Sequence, residues 1–187
     1  MGFEHRAEAE RFLQEWKDRL HKFGLELHPD KTRLIEFGRH AAEHRQQRGE
    51  GKPEVFDFLG FTHISGKNGL GRFMVRRTTI RKRMRAKLRQ VKQQLRERMH
   101  DPVPQTGQWL KSVVQGYFNY YAVPGNLASL GVFRDRALAL WWRTIRRRTQ
   151  KRRISWTRIL VLAQHWFPLP QALHPFPDAR FAASHLR

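Results

Sequence analysis

The chain has 187 residues, 40% of them hydrophobic, with a formal net charge of +21 and no cysteine. The absence of cysteine excludes disulfides and thiolate metal sites, and no apolar run is long enough to span a bilayer. The hydrophobic content argues against global disorder, and the charge favours nucleic acid over a membrane as the partner, with a cytoplasmic location expected.

The predicted elements begin with an amphipathic helix at residues 3–23, where apolar side chains recur at helical spacing and acidic ones come early. Residues 25–27 and 32–37 predict two short strands, and a turn at 28–31 separates them. Residues 38–53 are rich in glycine and charge and predict a polar connection.

Residues 55–64 give the strongest strand signal. They are apolar on both faces, which predicts a covered strand. Gly60 lies in its middle, where a glycine marks a bulge or a close approach of backbone. Residues 66–71 predict a hairpin loop and residues 72–75 a return strand.

Three longer helices and one short one are predicted next. Thr78 or Thr79 caps the first. Its narrow apolar stripe consists of Ile80, Met84, Leu88, Val91, Leu95 and Met99. The second lies in the aromatic stretch 108–126, and its apolar face consists of Leu110, Val113, Val114, Tyr117, Phe118 and Tyr121. The third spans about 127–150, with a stripe of Leu130, Phe133, Ala137, Trp141 and Ile145, and Ser155 caps the short helix.

A helix and a β-hairpin segment followed by an α-helical bundle predict an α+β protein. The boundary is expected near residues 76–79, so the regions are 1–76, 77–167 and an irregular, proline-rich tail at 168–187.

The sequence taken alone predicts no active site. Its six aspartates are unpaired, its ten histidines lack ligand spacing, and the glycine-rich stretch 66–71 lacks the Lys-Ser/Thr ending of a phosphate loop. No metal site is predicted.

Charge is placed very unevenly. Residues 1–50 are neutral, whereas residues 51–187 hold 27 basic and six acidic residues. A basic helix is often only a solvated face, but eleven positive charges against one negative at 76–100 indicate a polyanion partner, with RNA preferred because arginines and aromatics interleave. The predicted contacts are Arg81, Lys82, Arg83, Arg85, Lys87, Arg89, Lys92, Arg143, Arg146, Arg147, Arg148, Lys151, Arg152 and Arg153.

The aromatic helix could be a base-stacking platform, but its helical spacing favours a bundle core for most of its rings. Asn119 and Tyr120 lie off the main stripe and are the better candidates for RNA contact. Lys111 lines up with Asn119 on a separate face and is a further candidate.

Three series of residues, in order, resemble bacterial group II intron-encoded reverse transcriptase/maturases. They are LELHPDKTRLIEFGR (25–39), FDFLGFTH (56–63) and WLKSVVQGYFNYYAVPGN (109–126). The resemblance covers nearly the whole chain. It implies that residues 3–37 are the end of the palm, that Phe58, Leu59, Gly60 and Phe61 form the primer grip, and that residues 79–165 are the thumb and maturase-specific domain. It also implies that Lys31 is the palm-loop lysine that helps to protonate the leaving pyrophosphate, whereas the bland alternative is a solvated turn lysine.

The chain departs from that family in one respect. The Tyr-x-Asp-Asp motif and the other metal-binding aspartate are missing, so we expect a C-terminal fragment that cannot polymerise alone. No cofactor is expected in this chain, although the family implies Mg²⁺ for the full-length enzyme. The implied partners are structured intron RNA and an RNA template/DNA primer duplex, in support of splicing and RNA-directed DNA synthesis. A separately encoded N-terminal half is a further candidate partner, and the alternative function is a free-standing basic RNA-binding module without enzymatic activity.

Overall fold

The computed structural model describes residues 1–148 and 154–175. The fold is α+β, with helices and one small antiparallel sheet in the order α1 (Arg6–His21), α2 (Ala41–Gln47), β1 (Phe56–Phe58), β2 (Phe61–Lys67), β3 (Phe73–Thr79), α3 (Arg81–Glu97), α4 (Val103–Tyr121), α5 (Leu127–Arg148) and α6 (Trp156–Trp166). The chain divides into two compact units, Met1–Glu54 and Val55–Arg187. This division lies before the sheet, whereas the sequence predicts a boundary after it, because the sheet packs on α4 within the second unit.

The first unit confirms the predicted helix, as α1, but not the two predicted strands. Residues 25–27 and 32–37 have no regular secondary structure, and that prediction was wrong. A short strand is stable only when it pairs in a sheet, and neither segment belongs to the three-stranded sheet of the described residues. The carboxylate of Glu36 instead bonds to the Arg48 guanidinium and lies 3.2 Å from His44 Nδ1, and the Arg48 hydrogen bond lowers the pKa of Glu36.

The polar connection predicted at residues 38–53 contains the short helix α2, so that prediction was also wrong. Its residues, AAEHRQQ, are mostly good helix formers. Only Ala41 is buried, so the helix has no apolar stripe for periodicity to detect.

The predicted covered strand at residues 55–64 is in fact a tight hairpin. Phe58 pairs with Phe61, and Leu59 and Gly60 form a two-residue turn with φ values of 45° and 87°. Positive φ at both central residues is the feature of a type I′ turn, which suits the twist of the strands on either side. Val55 and Phe58 are exposed, so the strand is not covered on both faces.

The hairpin loop predicted at residues 66–71 is confirmed between β2 and β3, and the return strand that follows it is longer than predicted. The Asn68 side-chain oxygen accepts hydrogen bonds of 2.9 Å from the amides of Leu70 and Arg72. The return strand β3 continues to Thr79, which pairs with Phe61. Neither Thr78 nor Thr79 therefore caps α3, which begins after Ile80, and the predicted cap was wrong.

Helices α3 to α6 surround one core, and their predicted stripes are largely confirmed. Met84, Leu88, Val91 and Leu95 of α3 are buried, as are all five predicted positions of α5. On α4 the buried residues include Leu110, Val114, Tyr117 and Phe118, and the rings of Tyr117 and Phe133 stack at 3.6 Å. The Ser155 hydroxyl accepts a 3.2 Å hydrogen bond from the Arg158 amide, which confirms the cap of α6.

The described part of the predicted tail, residues 168–175, contains no helix or strand. It folds back on the bundle. The Pro168 carbonyl accepts a 3.2 Å hydrogen bond from Arg134 Nε, and the Leu173 amide donates one of 2.9 Å to the Ala122 carbonyl.

Candidate nucleic-acid interface

Helix α3 carries cations on both sides of its buried stripe. Because successive residues turn by about 100° around a helix, positions 82, 85, 89 and 92 fall on one flank and positions 83 and 87 on the other. All seven of the α3 cations predicted from the sequence, Arg81 to Lys92, are exposed. The helix tolerates this composition because arginine, lysine and glutamine are good helix formers and its narrow apolar stripe packs in the core.

The first flank of α3 faces α5 across an open groove of about 850 Å³, which we name the α3–α5 groove. Its nine lining residues are Lys82, Arg85, Leu88, Arg89, Lys92, Arg136, Ala139, Leu140 and Arg143. Six of the nine are arginine or lysine and the other three are apolar. The groove therefore has a cationic wall on each side and an apolar strip between them.

Arg136 is the groove residue that the sequence analysis missed. It lies seven residues before Arg143, which places both on one face of α5 and opposite the cations of α3. That spacing was visible in the sequence, but the facing helix was not.

The start of α3 is rich in positive charge. Its first turn contains no acid, and the residues there are Arg81, Lys82 and Arg83. Cations at a helix N-terminus are unfavourable, since the helix dipole is positive at that end. An anion bound beside α3 would reduce this electrostatic penalty.

The second flank of α3 borders a smaller opening, which we name the α3–α4 cleft, of about 370 Å³. It is lined by Arg83, Lys87, Ser112, Val113, Gly116, Tyr117, Tyr120 and Tyr121. Burial raises the pKa of Tyr121, and the nearby Arg83 opposes this shift. A tyrosine hydroxyl is protonated near neutral pH even without this shift, so that of Tyr121 can donate a hydrogen bond.

The β1–β2 turn packs directly on the aromatic helix. The Tyr120 hydroxyl donates a 2.8 Å hydrogen bond to the Leu59 carbonyl, and the rings of Phe61 and Tyr120 are nearly parallel at 6.1 Å. A Cβ at Gly60 would lie 3.2 Å from the Tyr121 hydroxyl oxygen and 3.3 Å from the Tyr120 ring. The close approach of backbone predicted at Gly60 is thus confirmed.

A buried asparagine joins the end of the sheet to the end of the aromatic helix. The Asn126 side-chain oxygen accepts a 3.0 Å hydrogen bond from the Thr79 amide, and its nitrogen donates to the Thr79 hydroxyl (2.9 Å) and the Tyr121 carbonyl (2.8 Å). These bonds join the end of β3 to the segment 109–126, and Thr79 pairs in turn with Phe61 of the segment 56–63.

The remaining predicted contacts are dispersed. Lys111 and Arg147 are exposed, Arg146 lies over the Trp142 ring at 4.7 Å, and Arg148 donates a hydrogen bond to the Asp101 carbonyl. Lys151, Arg152 and Arg153 lie outside the described residues.

The two candidates on the polar side of α4 already have protein partners. The Asn119 side-chain oxygen accepts from Gln115 at 2.8 Å, and its carbonyl accepts from His174 Nε2 at the same distance. Tyr120 is 50% exposed, with its hydroxyl bonded to Leu59. Its ring is therefore available to a partner, whereas its hydroxyl hydrogen is already donated.

Lys31 belongs to the first unit. Its side chain is exposed, in a turn where the Lys31 amide donates a 3.2 Å hydrogen bond to the His28 carbonyl. Among the described residues no three His, Asp or Glu side chains come together as metal ligands. The Mg²⁺ that the resemblance implies for a full-length enzyme therefore does not fit these residues, and no chemical step through a metal is assigned to them.

Within the described ranges no helix is both long and apolar enough to cross a membrane. Comparisons with protein-family models, with curated proteins and with solved structures find no match to this chain.

Proposed function

We propose that this chain binds nucleic acid along the α3–α5 groove, and that RNA is its principal partner. The observation that carries the proposal is the groove's lining, six cations from two helices with no acidic side chain among them. Six exposed positive charges repel one another unless a polyanion lies between them, and arginine in particular binds phosphate through two parallel hydrogen bonds. The apolar strip between the walls suits the sugar and base edges.

The dimensions of α3 support a contact along a strand. Lys82 and Lys92 are ten residues apart, which is about 15 Å of helix at 1.5 Å per residue. One strand of a duplex offers a phosphate roughly every 3.4 Å along its axis, so this length faces about four phosphates. The four cations of the first flank match that number.

The chain's role, on this proposal, is that of the C-terminal part of a group II intron reverse transcriptase/maturase in the cytoplasm. The three series of residues described above support it, and two of them, 56–63 and 109–126, pack against each other. The partners would be structured intron RNA during splicing and an RNA template/DNA primer duplex during DNA synthesis. A primer held near Gly60 would lie beside the turn that Tyr120 fixes.

A salt titration of RNA affinity tests the groove. If all six cations contact phosphate, the logarithm of the association constant should fall by about 5 for duplex, or about 4 for a single strand, per tenfold rise in salt. Replacing Lys82, Arg85, Arg89 and Lys92 by glutamine should reduce that slope by roughly 3, and glutamine keeps the helix. The matched control replaces four exposed cations of the first unit, Arg11, Lys17, Arg19 and Lys22, by glutamine. Equal effects of the two sets would show that net charge, and not the groove, sets the affinity.

A second measurement separates the maturase from a free-standing RNA-binding module. Affinity is compared for structured group II intron RNA and for unrelated RNA of equal length at one salt concentration. A preference for the intron supports the maturase, and equal affinities support the module. We expect no primer extension by the chain alone with Mg²⁺, and mixing with a separately produced N-terminal half is the test for recovered activity.

A further inference from the structure

The α3–α4 cleft is chemically different from the α3–α5 groove. Its volume of about 370 Å³ is at the lower end of the range for sites that take small molecules. Two cations, Arg83 and Lys87, lie one helical turn apart on one side. Three tyrosines of α4 lie on the other. The cleft thus offers phosphate-binding groups opposite aromatic rings within the span of one nucleotide.

The ring of Tyr120 is held in position before any ligand binds. Its hydroxyl bonds to the Leu59 carbonyl, and the ring lies nearly parallel to Phe61, with an angle of 9° between the two planes. Because its rotamer is already fixed, a base that stacks on the ring loses little affinity to ordering of the side chain. Tyr120 is half exposed, and it lines the cleft.

Gly116 leaves the cleft open. A Cβ built on it meets no atom within 4 Å, so no neighbouring group fills this part of the wall. Ser112, one turn earlier, donates its hydroxyl hydrogen to the Trp109 carbonyl at 2.7 Å. Its oxygen therefore remains able to accept a hydrogen bond from an amino group of a base.

We propose that the α3–α4 cleft binds a single unpaired nucleotide, its base stacked on Tyr120 and its phosphate held by Arg83 and Lys87. A base inside a duplex is covered on both faces by its neighbours, so only a base at a strand end, bulge or loop can enter the cleft. The inference rests on the proposed nucleic-acid binding and adds the structural element of the nucleic acid that is recognised.

The test compares the affinity of the full chain for two oligonucleotide duplexes of one sequence, a blunt-ended duplex of two separate strands, which has no loop, and the same duplex with a three-nucleotide single-stranded extension. Stacking of one base on an aromatic ring predicts a preference of roughly 5- to 100-fold for the extended form. Gly116→Leu should fill the cleft and abolish the preference, while the affinity for blunt duplex and its salt slope stay unchanged. Gly131→Leu, at another helical glycine with no atom near its Cβ position, is the matched control.

A second pair of variants tests the stacking itself. Tyr120→Phe keeps the ring and should keep most of the preference, and Tyr120→Ala should lose it. Circular dichroism checks that each variant is folded. A photoreactive 4-thiouridine in the extension should cross-link to the peptide that contains Tyr120 in the parent chain and not in Gly116→Leu.

The outcomes separate the two proposals. Blunt duplex bound with a steep salt slope but without preference for the extension, or a preference that survives Gly116→Leu, overturns the nucleotide site and leaves the groove standing. If the parent chain shows no salt-dependent binding to either oligonucleotide, the groove and the nucleotide site are both overturned. Competition by free nucleoside monophosphate at millimolar concentration shows that the cleft takes a detached nucleotide as well. If the free monophosphate does not compete while the extended duplex is still preferred, the cleft recognises a nucleotide only as part of a strand, and the proposal is supported.

Discussion

The hydroxyl of Tyr120 donates a hydrogen bond of 2.8 Å to the backbone carbonyl of Leu59, 61 positions earlier in the chain. Leu59 has a φ of 45°, a conformation that leucine rarely adopts, and its side chain is 65% exposed. Local preference therefore does not explain this turn. The bond from α4 stabilises the turn from outside, together with a 3.1 Å hydrogen bond from the Ile80 amide to the Gly60 carbonyl.

Tyr120→Phe should lower the free energy of unfolding by about 1 kcal/mol, because it removes this hydrogen bond and leaves the ring packed on Phe61. Chemical denaturation measures the change. Amide hydrogen exchange in the β1–β2 hairpin should rise more than exchange in α5. An unchanged unfolding midpoint would show that hydrogen bonds to water replace this bond without any loss of stability.

Gly60→Ala should destabilise the protein by about 1–3 kcal/mol, since φ is 87° and the added Cβ would lie 3.2–3.3 Å from the rings of Tyr120 and Tyr121. Gly69→Ala is the control. Gly69 lies in the β2–β3 loop with no atom within 4 Å of a Cβ, so this change should stay within about 0.5 kcal/mol. Similar midpoints for the two variants would argue against the packing described at the hairpin.

Asn126→Ala should lower the free energy of unfolding by roughly 2–4 kcal/mol, because it removes three hydrogen bonds and leaves the buried Thr79 amide without its acceptor. Asn119→Ala is the matched control, since its side chain is exposed on α4 and accepts a hydrogen bond from Gln115 on the same helix. Thermal unfolding of the two variants measures the difference. If Asn119→Ala destabilises the protein as much as Asn126→Ala does, the hydrogen bonds of Asn126 are not what holds the sheet to the bundle.

Replacement of two glycines of α4 by alanine should change the free energy of unfolding in opposite directions. At Gly107 a Cβ would lie 2.7 Å from the Trp166 ring, so Gly107→Ala should destabilise the bundle by about 1–3 kcal/mol. At Gly116 the space is open, so Gly116→Ala should stabilise it by about 0.5–1 kcal/mol through the lower entropy of the unfolded chain. Denaturant midpoints of both variants check the signs, and stabilisation by Gly107→Ala would mean that α6 is not packed against α4.

The helices were predictable because their apolar residues recur at the helical period over several turns. The five predicted stripe positions of α5 are all buried. Helix α2 escaped prediction because it spans only seven residues and buries one alanine. The turn at Leu59-Gly60 was missed because turns of this type are normally marked by asparagine or aspartate before the glycine, whereas leucine continued an apolar run.

The site was only partly predictable. The sequence identified the cations of α3, but it could not say that positions 82 and 83 border different openings, since that depends on which helix packs against each flank. Arg136 and Asn126 take their roles from partners far away in sequence, with Asn126 bonded to a residue 47 positions earlier. Local patterns do not contain such long-range pairings.

The two cationic flanks of α3 are joined by a single helix, whose diameter with side chains is about 10–12 Å. Electrostatic screening extends over about 8 Å at physiological ionic strength but over about 30 Å at 0.01 M, so in dilute salt each flank is affected by the charge on the other. A polyanion that neutralises the groove therefore weakens the attraction of a second, independent polyanion to the cleft. One strand that reaches both openings avoids this antagonism, because its second contact forms within the same complex. Dilute salt thus favours a single continuous ligand, and concentrated salt makes the two openings independent.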